Sequence, residues 1–465
     1  EYQSFAAQGI FGGISLKGKL PVNICNVYKE GLGLNTNKIR LGYVSPELVG
    51  VNSRVLKDSI NKIVKEGFKK KAMPGCQITL AKKGYVFYRK SFGYYTYRRK
   101  HKVTNNTIYD IASITKIVST TPLIMQLYEE NKISLKDKIS KYLEIDKKSD
   151  LADVSIKDLL LHESGLKSSI SIFSDIIETR YRTNLFSKRK DKYHKIKIGE
   201  NLYFRNFYRY KKDIFKTYRN KRFSIKICSN KYLNIKYQNY IEEAILNSKI
   251  NKDKSYKYSD LGYILLGNII EQIYGKSLDT LSENIYNSLG ANYTCYNPYK
   301  KFPITYISPS SVDKMYRKKM IQAYTHDPLA AFKGGISGNA GVFSTANDLA
   351  KIMQMLLQNG EYGNSSFYSP STVKLFTEKQ NIYNRRGLGF DKPNFEDLSN
   401  SPASVYASPD SYGHSGFTGT LAWADPVNST ICIFLSNRTF PSDYNNALSE
   451  LNIRTRIHSV LYNNY

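Results

Sequence analysis

The stretch Ile111-Ala112-Ser113-Ile114-Thr115-Lys116 places a serine hydroxyl and a lysine amine three residues apart. The apolar run over 117–128 predicts a helix, and residues three apart share one face of a helix. Ser113 then lies where the helix dipole is positive, with Lys116 one turn further on. The positive end of the helix dipole and the Lys116 ammonium both stabilise a deprotonated Ser113 Oγ. A desolvated lysine can also become neutral and accept the proton itself. The geometry of this stretch therefore favours a reactive hydroxyl on Ser113.

Two further motifs follow in order along the chain. Tyr258-Ser259-Asp260 precedes Leu-Gly-Tyr-Ile-Leu-Leu-Gly, and His414-Ser415-Gly416 precedes Phe-Thr-Gly-Thr. A single Ser-x-x-Lys occurs often by chance, and would then be a helix-start serine followed by an exposed lysine. Three motifs in this order favour a catalytic site.

Together the motifs resemble the serine β-lactamase and penicillin-binding protein superfamily, in particular its class C-like branch of D-Ala-D-Ala carboxypeptidases and esterases. Segments 159–166 and 338–349 also resemble this family, and the resemblance runs from about Leu56 to the end of the chain. It implies an α+β, β-lactamase/transpeptidase-like fold, with a central antiparallel sheet flanked by helices and a mainly helical subdomain.

The resemblance also implies roles for the first two motifs. Ser113 is the nucleophile that forms an acyl-enzyme, and Lys116 activates it. Tyr258 takes the proton of Ser113 and passes it to the leaving group, because a phenol held between two cations can have a pKa lowered toward neutrality. Asp260 stands where many relatives have Asn. An acid there can keep Lys116 charged, which favours a relay through Tyr258 and disfavours β-lactam turnover.

The third motif is expected to line the cleft. His414 faces a substrate carboxylate or bonds to Tyr258, and Ser415 belongs to the same substrate-contacting strand. Gly416 lets the substrate backbone approach closely. By analogy with the family, the backbone N–H groups of Ser113 and Phe417 form the oxyanion hole. His162 and Glu163 match a family motif with a structural role, and no role is assigned to His326 and Asp327.

Composition limits the partners. The chain has 465 residues and a net charge of +30, from 69 basic and 39 acidic side chains. The lysines are spread along the whole chain, so we expect no specific nucleic-acid binding, although the charge suits an anionic polymer such as a cell-wall glycan. The partner that the motifs indicate is a small peptide, ester or β-lactam substrate. The oligomeric state is not given by the sequence.

Other classes of site lack their signatures. The five cysteines are widely separated and indicate neither a metal site nor a disulfide framework. Metal-binding and phosphate-loop spacings do not occur, so no metal and no cofactor is expected. No apolar run is long enough to span a membrane. Because the chain opens on Glu1, we expect a targeting signal to have been removed or to lie upstream.

The chain divides into two segments. Residues 1–50 form an N-terminal extension and linker, in which Gly18-Lys19-Leu20-Pro21-Val22 resembles the end of the C-terminal domain of family three glycoside hydrolases. The alternative is an extension that packs on the hydrolase. Residues 51–465 form the hydrolase domain, with a helical subdomain over about 133–324. Within it, about 183–256 is a basic, Tyr-rich insertion, which we interpret as a solvated segment over the cleft in preference to a nucleic-acid site.

Hydrophobic periodicity predicts the other elements. We expect a helix from Arg54, a hairpin around Lys82-Lys83-Gly84, and helices on both faces of the sheet built from the two chain ends. The predicted later elements are helices at 346–358 and 446–462, and strands at 387–390, 413–416, 420–425 and 430–436.

The function these features predict is acyl transfer by a serine hydrolase, on cell-wall D-amino-acid peptides or related esters and amides, in the periplasm or otherwise outside the cytoplasm. One alternative is a β-lactamase, which His414 and Asp260 disfavour. The other is a non-catalytic or scaffold module fused to a β-N-acetylglucosaminidase-type glycoside hydrolase.

Overall fold

The computed structural model describes residues 2–182 and 184–462. The α-helices are α1 (Tyr2–Ile10), α2 (Ser53–Lys69), α3 (Thr121–Glu129), α4 (Ile156–Leu161), α5 (Phe173–Ile176), α6 (Tyr240–Leu246), α7 (Asp260–Tyr274), α8 (Leu278–Leu289), α9 (Pro328–Phe332), α10 (Ala346–Leu357), α11 (Pro370–Thr377), α12 (Ala447–Glu450) and α13 (Ile453–Ser459).

The strands fall into one central sheet and several small ones. They are β1 (Gly42–Tyr43), β2 (Gly75–Lys82), β3 (Tyr85–Gly93), β4 (Tyr109–Asp110), β5 (Phe186–Ser187), β6 (His194–Gly199), β7 (Leu202–Arg205), β8 (Phe215–Lys216), β9 (Phe223–Cys228), β10 (Lys231–Asn234), β11 (Cys295–Tyr296), β12 (Pro309–Asp313), β13 (Lys319–Gln322), β14 (Val342–Ser344), β15 (Glu361–Tyr362), β16 (Ser365–Ser366), β17 (Tyr412–Gly416), β18 (Thr420–Asp425) and β19 (Thr430–Ser436).

The central sheet has the order β1-β3-β2-β19-β18-β17. It is antiparallel apart from its edge, where β1 runs parallel to β3. The predicted hairpin is confirmed, since Lys83 and Gly84 turn between β2 and β3 with φ of 51° and 74°. Pairing of β2 with β19 joins the two ends of the hydrolase segment at the middle of the sheet, so the α+β prediction holds.

The two faces of the sheet are covered differently from the prediction. Successive residues of β19 point to opposite faces, so Cys432 and Phe434 pack with α2 and α13, whereas Ile431 and Ile433 pack into the larger core that contains α10. The helices from the two chain ends therefore share one face. The other face carries α10 and the lobe that follows α3.

The lobe over 133–324 contains the expected helices, among them α4, α7 and α8. The expected helical character does not hold for 186–234, where two three-stranded antiparallel sheets form, β5-β7-β6 and β8-β10-β9. Thr183, the expected start of the insertion, lies outside the described residues, as do the two ends of the chain, Glu1 and 463–465.

Two later elements also differ from expectation. Residues 387–390 form a loop in which Gly389 has a φ of 93°, a conformation that interrupts a strand. The final helix is broken at Asn452, whose φ is 49°, into α12 and α13. The helix at 346–358 and the three C-terminal strands are confirmed. Among the described residues, no helix has the length and apolarity needed to cross a bilayer.

Candidate active site

Ser113 lies on a 3₁₀ turn, Ala112–Ile114, directly after β4. The chain continues as a π-helical turn, Lys116–Thr120, before α3 begins, so the regular α-helix starts later than the sequence suggests. Ala112 has a φ of 47°, a left-handed conformation that is uncommon away from glycine. Asp110 holds the turn, because its Oδ1 accepts a hydrogen bond from the Ala112 N–H at 2.9 Å.

The Lys116 ammonium is buried and fully hydrogen-bonded. It donates to Ser113 Oγ at 3.1 Å, to Asp260 Oδ1 at 2.7 Å and to the Asn339 carbonyl at 2.9 Å, which uses its three protons. Burial alone would lower the pKa of Lys116, but the charges of Asp260 and Tyr258 outweigh it and raise that pKa. Lys116 is therefore a cation, as the acid at position 260 led us to expect.

Tyr258 completes the hydrogen bonding of the Ser113 hydroxyl. Its hydroxyl donates to Ser113 Oγ at 2.8 Å, so that oxygen accepts from both Tyr258 and Lys116. The His162 ring lies 4.6 Å from the Tyr258 ring, and His162 Nδ1 accepts from the Ser259 N–H at 3.1 Å, which fixes this segment against α4. Burial raises the pKa of Tyr258 in spite of the Lys116 charge. The expected lowering of that pKa is therefore wrong.

His414 lies beside Tyr258, with ring centroids 5.9 Å apart. Its Nδ1 donates to the Ser415 carbonyl at 2.6 Å, and its Nε2 faces Arg386 Nη1 at 3.4 Å. Burial, together with the charges of Arg386 and Lys116, lowers the pKa of His414 to about 3. His414 is thus a neutral imidazole and supplies no positive charge for a substrate carboxylate.

The positive charge next to His414 comes from two arginines that the sequence analysis missed. Arg385 pairs with Asp391 at 2.8 and 3.2 Å. Arg386 is almost fully buried, lies 3.3 Å from the same carboxylate and donates to the Tyr256 hydroxyl at 3.1 Å. One carboxylate shared by two guanidinium groups leaves this side of the cavity with a net positive charge.

The opposite side of the cavity is acidic and aromatic. His326 Nε2 bonds to Asp443 Oδ1 at 2.9 Å, and the imidazole stacks on the Phe417 ring at 5.4 Å. Burial would lower the pKa of His326, but Asp443 outweighs it and raises that pKa. Asp327 accepts hydrogen bonds from the Ala330 N–H at 2.7 Å and from Asn339 Nδ2 at 3.2 Å. Asn339 thereby links this side to Lys116.

Between the two sides lies a cavity of about 610 Å³ that opens over Ser113. Its lining is Ala112, Ser113, Tyr256, Tyr258, Asp260, His326, Asp327, Pro328, Asn339, Ala340, Arg385, Arg386, Asp391, His414, Ser415, Phe417 and Asp443. The three motifs thus meet in one place. Within residues 2–182 and 184–462, no group of His, Cys, Asp or Glu side chains is arranged to hold a metal ion.

Gly416 has a structural reason within the fold, while the expected close approach of a substrate backbone stays a prediction. A Cβ at this position would lie 2.1 Å from Thr420 Oγ1 and 2.5 Å from the Ile111 carbonyl. β17 can therefore lie this close to the turn that carries Ser113 only because residue 416 is glycine. The Thr420 hydroxyl bonds that same carbonyl at 3.2 Å. The assignment of the Ser113 and Phe417 N–H groups to an oxyanion hole stays a prediction.

The residues that sequence reasoning missed carried weak signals. Arg385-Arg386 is one basic pair in a chain with 69 Lys and Arg residues. Asp327, to which the sequence analysis assigned no role, caps α9, and Asp-Pro is a pair typical of a helix start. Glu163 is structural, since its Oε1 accepts from the amides of Asn381 and Asn384.

The sequence matches the Beta-lactamase family over residues 60–179 and 222–454, and the chain therefore belongs to this family. It is a hydrolase related to β-lactamases and penicillin-binding proteins. The interval between the matched segments, 180–221, falls largely within the expected insertion.

Curated relatives and solved structures agree with this assignment. An Escherichia coli (strain K12) protein named "Putative D-alanyl-D-alanine carboxypeptidase" is 28% identical over 423 residues, 85% of each chain. The "N-acetylmuramyl-L-alanine amidase" of Bacillus subtilis (strain 168) is 27% identical over 394 residues, 78% of this chain and 77% of its own.

Among solved structures, EstCE1, a hydrolase with promiscuous acyltransferase activity, has a TM-score of 0.59 at 16% identity, covering 87% of this chain and 99% of its own. An octameric penicillin-binding protein homologue from Pyrococcus abyssi has a TM-score of 0.56 at 22% identity, and the match covers 86% of this chain and 78% of that one. These likenesses establish the β-lactamase/transpeptidase-like fold.

Proposed function

We propose that this protein is a serine hydrolase that forms an acyl-enzyme on Ser113 and acts on D-amino-acid peptides of cell-wall origin, in the manner of a D-Ala-D-Ala carboxypeptidase or esterase. The observation that carries the proposal is the pair of hydrogen bonds on Ser113 Oγ, from Tyr258 at 2.8 Å and from Lys116 at 3.1 Å. A protein that kept this fold only as a scaffold would have no need of a fully bonded buried lysine beside a serine.

In the proposed reaction, Tyr258 first gives its proton to solvent, and the raised pKa of its phenol keeps this ionised form a minor fraction at neutral pH. Ser113 Oγ then attacks the substrate carbonyl, and its proton passes to the ionised Tyr258. The C–N or C–O bond then breaks, and Tyr258 returns the proton to the leaving group. Water attacks the acyl-enzyme, again with Tyr258 accepting the proton, and Ser113 is restored. Lys116 stays charged throughout and stabilises the negative charge on both oxygens.

Arg386 supports the choice of a substrate with a free carboxylate. His414 is neutral, whereas the Arg386 guanidinium lies 3.4 Å from its Nε2 and lines the same cavity. Arginine presents several donors in a plane, which suits a carboxylate. We assign the C-terminal carboxylate of the peptide to this side. Since such peptides belong to peptidoglycan, we place the protein outside the cytoplasm.

Two differences from the related motifs favour this activity over β-lactam turnover. His414 stands where the Lys-Thr-Gly form of the third motif has lysine, and Asp260 stands where many relatives have asparagine. The name of the Bacillus subtilis relative adds the muramyl–L-alanine amide bond as a second candidate substrate.

The test is a substrate panel with the wild-type protein and Arg386→Gln. The panel contains an N-acylated D-Ala-D-Ala, the same peptide as a C-terminal amide, a muramyl–L-alanine amide, a penicillin and p-nitrophenyl acetate. We expect the free-acid peptide to be preferred. Arg386→Gln should lower its kcat/KM by at least about tenfold, from loss of a charge-assisted hydrogen bond of about 1.5–3 kcal/mol.

Hydrolysis of p-nitrophenyl acetate serves as the control, because acetate esters offer no carboxylate to Arg386, and it should change by less than about threefold. Turnover limited to simple esters would overturn the cell-wall assignment. Equal turnover of the free acid and its amide would overturn the role of Arg386.

A further inference from the structure

A second cavity, of about 540 Å³, lies where the β8-β10-β9 sheet meets the segments that follow β11 and α9. It shares no lining residue with the cavity over Ser113. The lining residues used below are Arg219, Lys226, Tyr232, Tyr299, Lys300 and Lys333. We call it the basic cavity.

The basic cavity concentrates positive charge, and nearby carboxylates, Glu271 and Glu242, act on the pKa of one of its four cations, Lys333. Arg219, Lys226, Lys300 and Lys333 line it, and its lining includes no carboxylate. Throughout the described residues, none of these four side chains forms an ion pair. Cations brought together in a concave site repel one another, and a bound anion relieves that repulsion.

Two of these cations are held in place. The Lys226 ammonium lies 4.8 Å from the centre of the Tyr299 ring, which stacks on Tyr324 at 4.7 Å. Lys333 Nζ donates to Asn268 Oδ1 at 2.6 Å. Burial lowers the pKa of Lys333, so an anion beside it would favour its charged form.

Lys333 also connects the basic cavity to a neighbouring one of about 430 Å³, with which it shares Gln238, Lys333 and Ile336. The neighbouring cavity is lined by side chains with amide or carboxylate groups, namely Gln238, Asn239, Glu242, Asn268, Glu271 and Gln272. Amides both donate and accept, as sugar hydroxyls do. We call this one the amide cavity.

Asn268 is the strongest sign of a missing partner. It is more than nine-tenths buried, and its Oδ1 is bonded to Lys333. Among the described residues its Nδ2 has no hydrogen-bond acceptor. A buried amide nitrogen without an acceptor costs about 1–3 kcal/mol, and an oxygen of a ligand in the amide cavity would satisfy it.

We infer that the basic and amide cavities together form a binding site for an acidic saccharide. The carboxylate or phosphate of the ligand lies among the four cations, and the sugar hydroxyls bond to the amides that include Asn268 Nδ2. The site lies apart from Ser113, so the inference stands independently of the proposed hydrolytic reaction.

The test is isothermal titration calorimetry on the full chain with digalacturonate. The uncharged methyl ester of digalacturonate is the matched control ligand. Glucose 1-phosphate tests whether a phosphorylated sugar binds in place of a sugar acid, and inorganic phosphate tests whether a bare anion is sufficient. We expect digalacturonate or the sugar phosphate to bind, and the ester and inorganic phosphate to bind at least about tenfold more weakly.

Lys226→Met and Asn268→Leu should each weaken binding of the acidic sugar by at least about tenfold, which is about 1.4 kcal/mol. Lys319→Met is the control, since Lys319 bonds the Ser229 carbonyl and lines neither cavity. Melting curves check that each variant is folded. If Asn268→Leu does not fold, Lys226→Met alone decides the test.

The inference would be overturned if neither acidic sugar bound, if the ester or inorganic phosphate bound as tightly, or if Lys319→Met weakened binding as much as Lys226→Met.

Discussion

At the scale of single residues, the neighbours of each basic group around Ser113 set its protonation. Lys116 is buried but touches Asp260, so it stays charged. His414 is buried beside two cations, so it stays neutral. Arg386 keeps its charge because Asp391 lies 3.3 Å away. The positive charge beside the third motif is therefore that of a loop arginine, Arg386.

These protonation states predict the pH dependence of the reaction. In the proposed reaction Tyr258 must lose its proton to act as a base. Burial raises its pKa, so the ionised fraction is small at neutral pH and grows as the pH rises. We expect kcat/KM for an ester substrate to rise by up to about tenfold per pH unit from pH 6 to pH 9. His414→Gln should leave the shape of this profile unchanged, because the pKa of His414 is about 3. A limb near pH 6.5 that disappears in His414→Gln would contradict the account.

Asp260→Asn provides the matched comparison for this profile. Burial is already the largest single influence on the pKa of Lys116, and without the Asp260 carboxylate the strongest opposing charge is lost, so that pKa falls. A neutral Lys116 can then accept the Ser113 proton, so the rise in kcat/KM should begin at lower pH than in the wild type. An unchanged profile would show that Asp260 does not control the charge of Lys116.

At the scale of elements, the site depends on the contact that the β17–β18 hairpin makes with the turn that carries Ser113. Thr418 and Thr420 donate to the carbonyls of Asp110 and Ile111 at 2.7 and 3.2 Å. These bonds fix the third motif against the first.

Gly416→Ala tests this contact. The added Cβ would meet Thr420 Oγ1 at 2.1 Å and the Ile111 carbonyl at 2.5 Å, so β17 must move away from the turn. We expect a loss of about 1–3 kcal/mol in the free energy of unfolding and at least about hundredfold in kcat. Gly18→Ala is the control, because its Cβ would meet no atom within 4 Å. Denaturant melts and ester kinetics measure both effects, and full activity in Gly416→Ala would contradict the account.

Elements with a clear period were predictable, and elements set by tertiary contacts were not. The hairpin, α10 and the C-terminal strands follow from periodicity and from turn residues. The loop at 387–390 has the alternation of a strand, but Gly389 packs against Thr121, where a Cβ would lie 2.3 Å from Oγ1. The break at Asn452 and the sheets over 186–234 likewise depend on contacts that no local pattern records.

At the scale of the whole molecule, three buried neutral histidines affect acid stability. Burial lowers the pKa of His414 and of His458 to about 3, and that of His162 far below its ordinary value. The unfolded chain therefore binds more protons than the folded one between about pH 3 and 6.5. The stability that these groups contribute is complete above pH 6.5 and is lost as the pH falls.

His458→Gln isolates one such contribution away from the active site. His458 Nδ1 accepts from the Ser404 N–H at 3.0 Å, a bond that glutamine can also accept. Between pH 6 and pH 4, the free energy of unfolding of the wild type should fall more steeply than that of the variant, by about 1.4 kcal/mol per pH unit. Urea melts over this range provide the measurement. Parallel curves would contradict a neutral buried His458.

The residues of the candidate site could be predicted only where they belong to a sequence motif. Ser113, Lys116, Tyr258 and His414 could be predicted to lie together because the order of the motifs compensates for their separation along the chain. Arg386 could not, because its role depends on a loop that brings it next to His414. The interpretation of residues 1–50 as the tail of a glycoside hydrolase domain stays a prediction.

The most direct measurement of the central claim is the intact mass of the protein after reaction with a fluorophosphonate and with a fluorescent penicillin, followed by peptide mapping. We expect a single adduct with at least one of the two probes, located on Ser113 and absent in Ser113→Ala. An adduct on another residue, or none with either probe on the folded wild-type protein, would contradict the account.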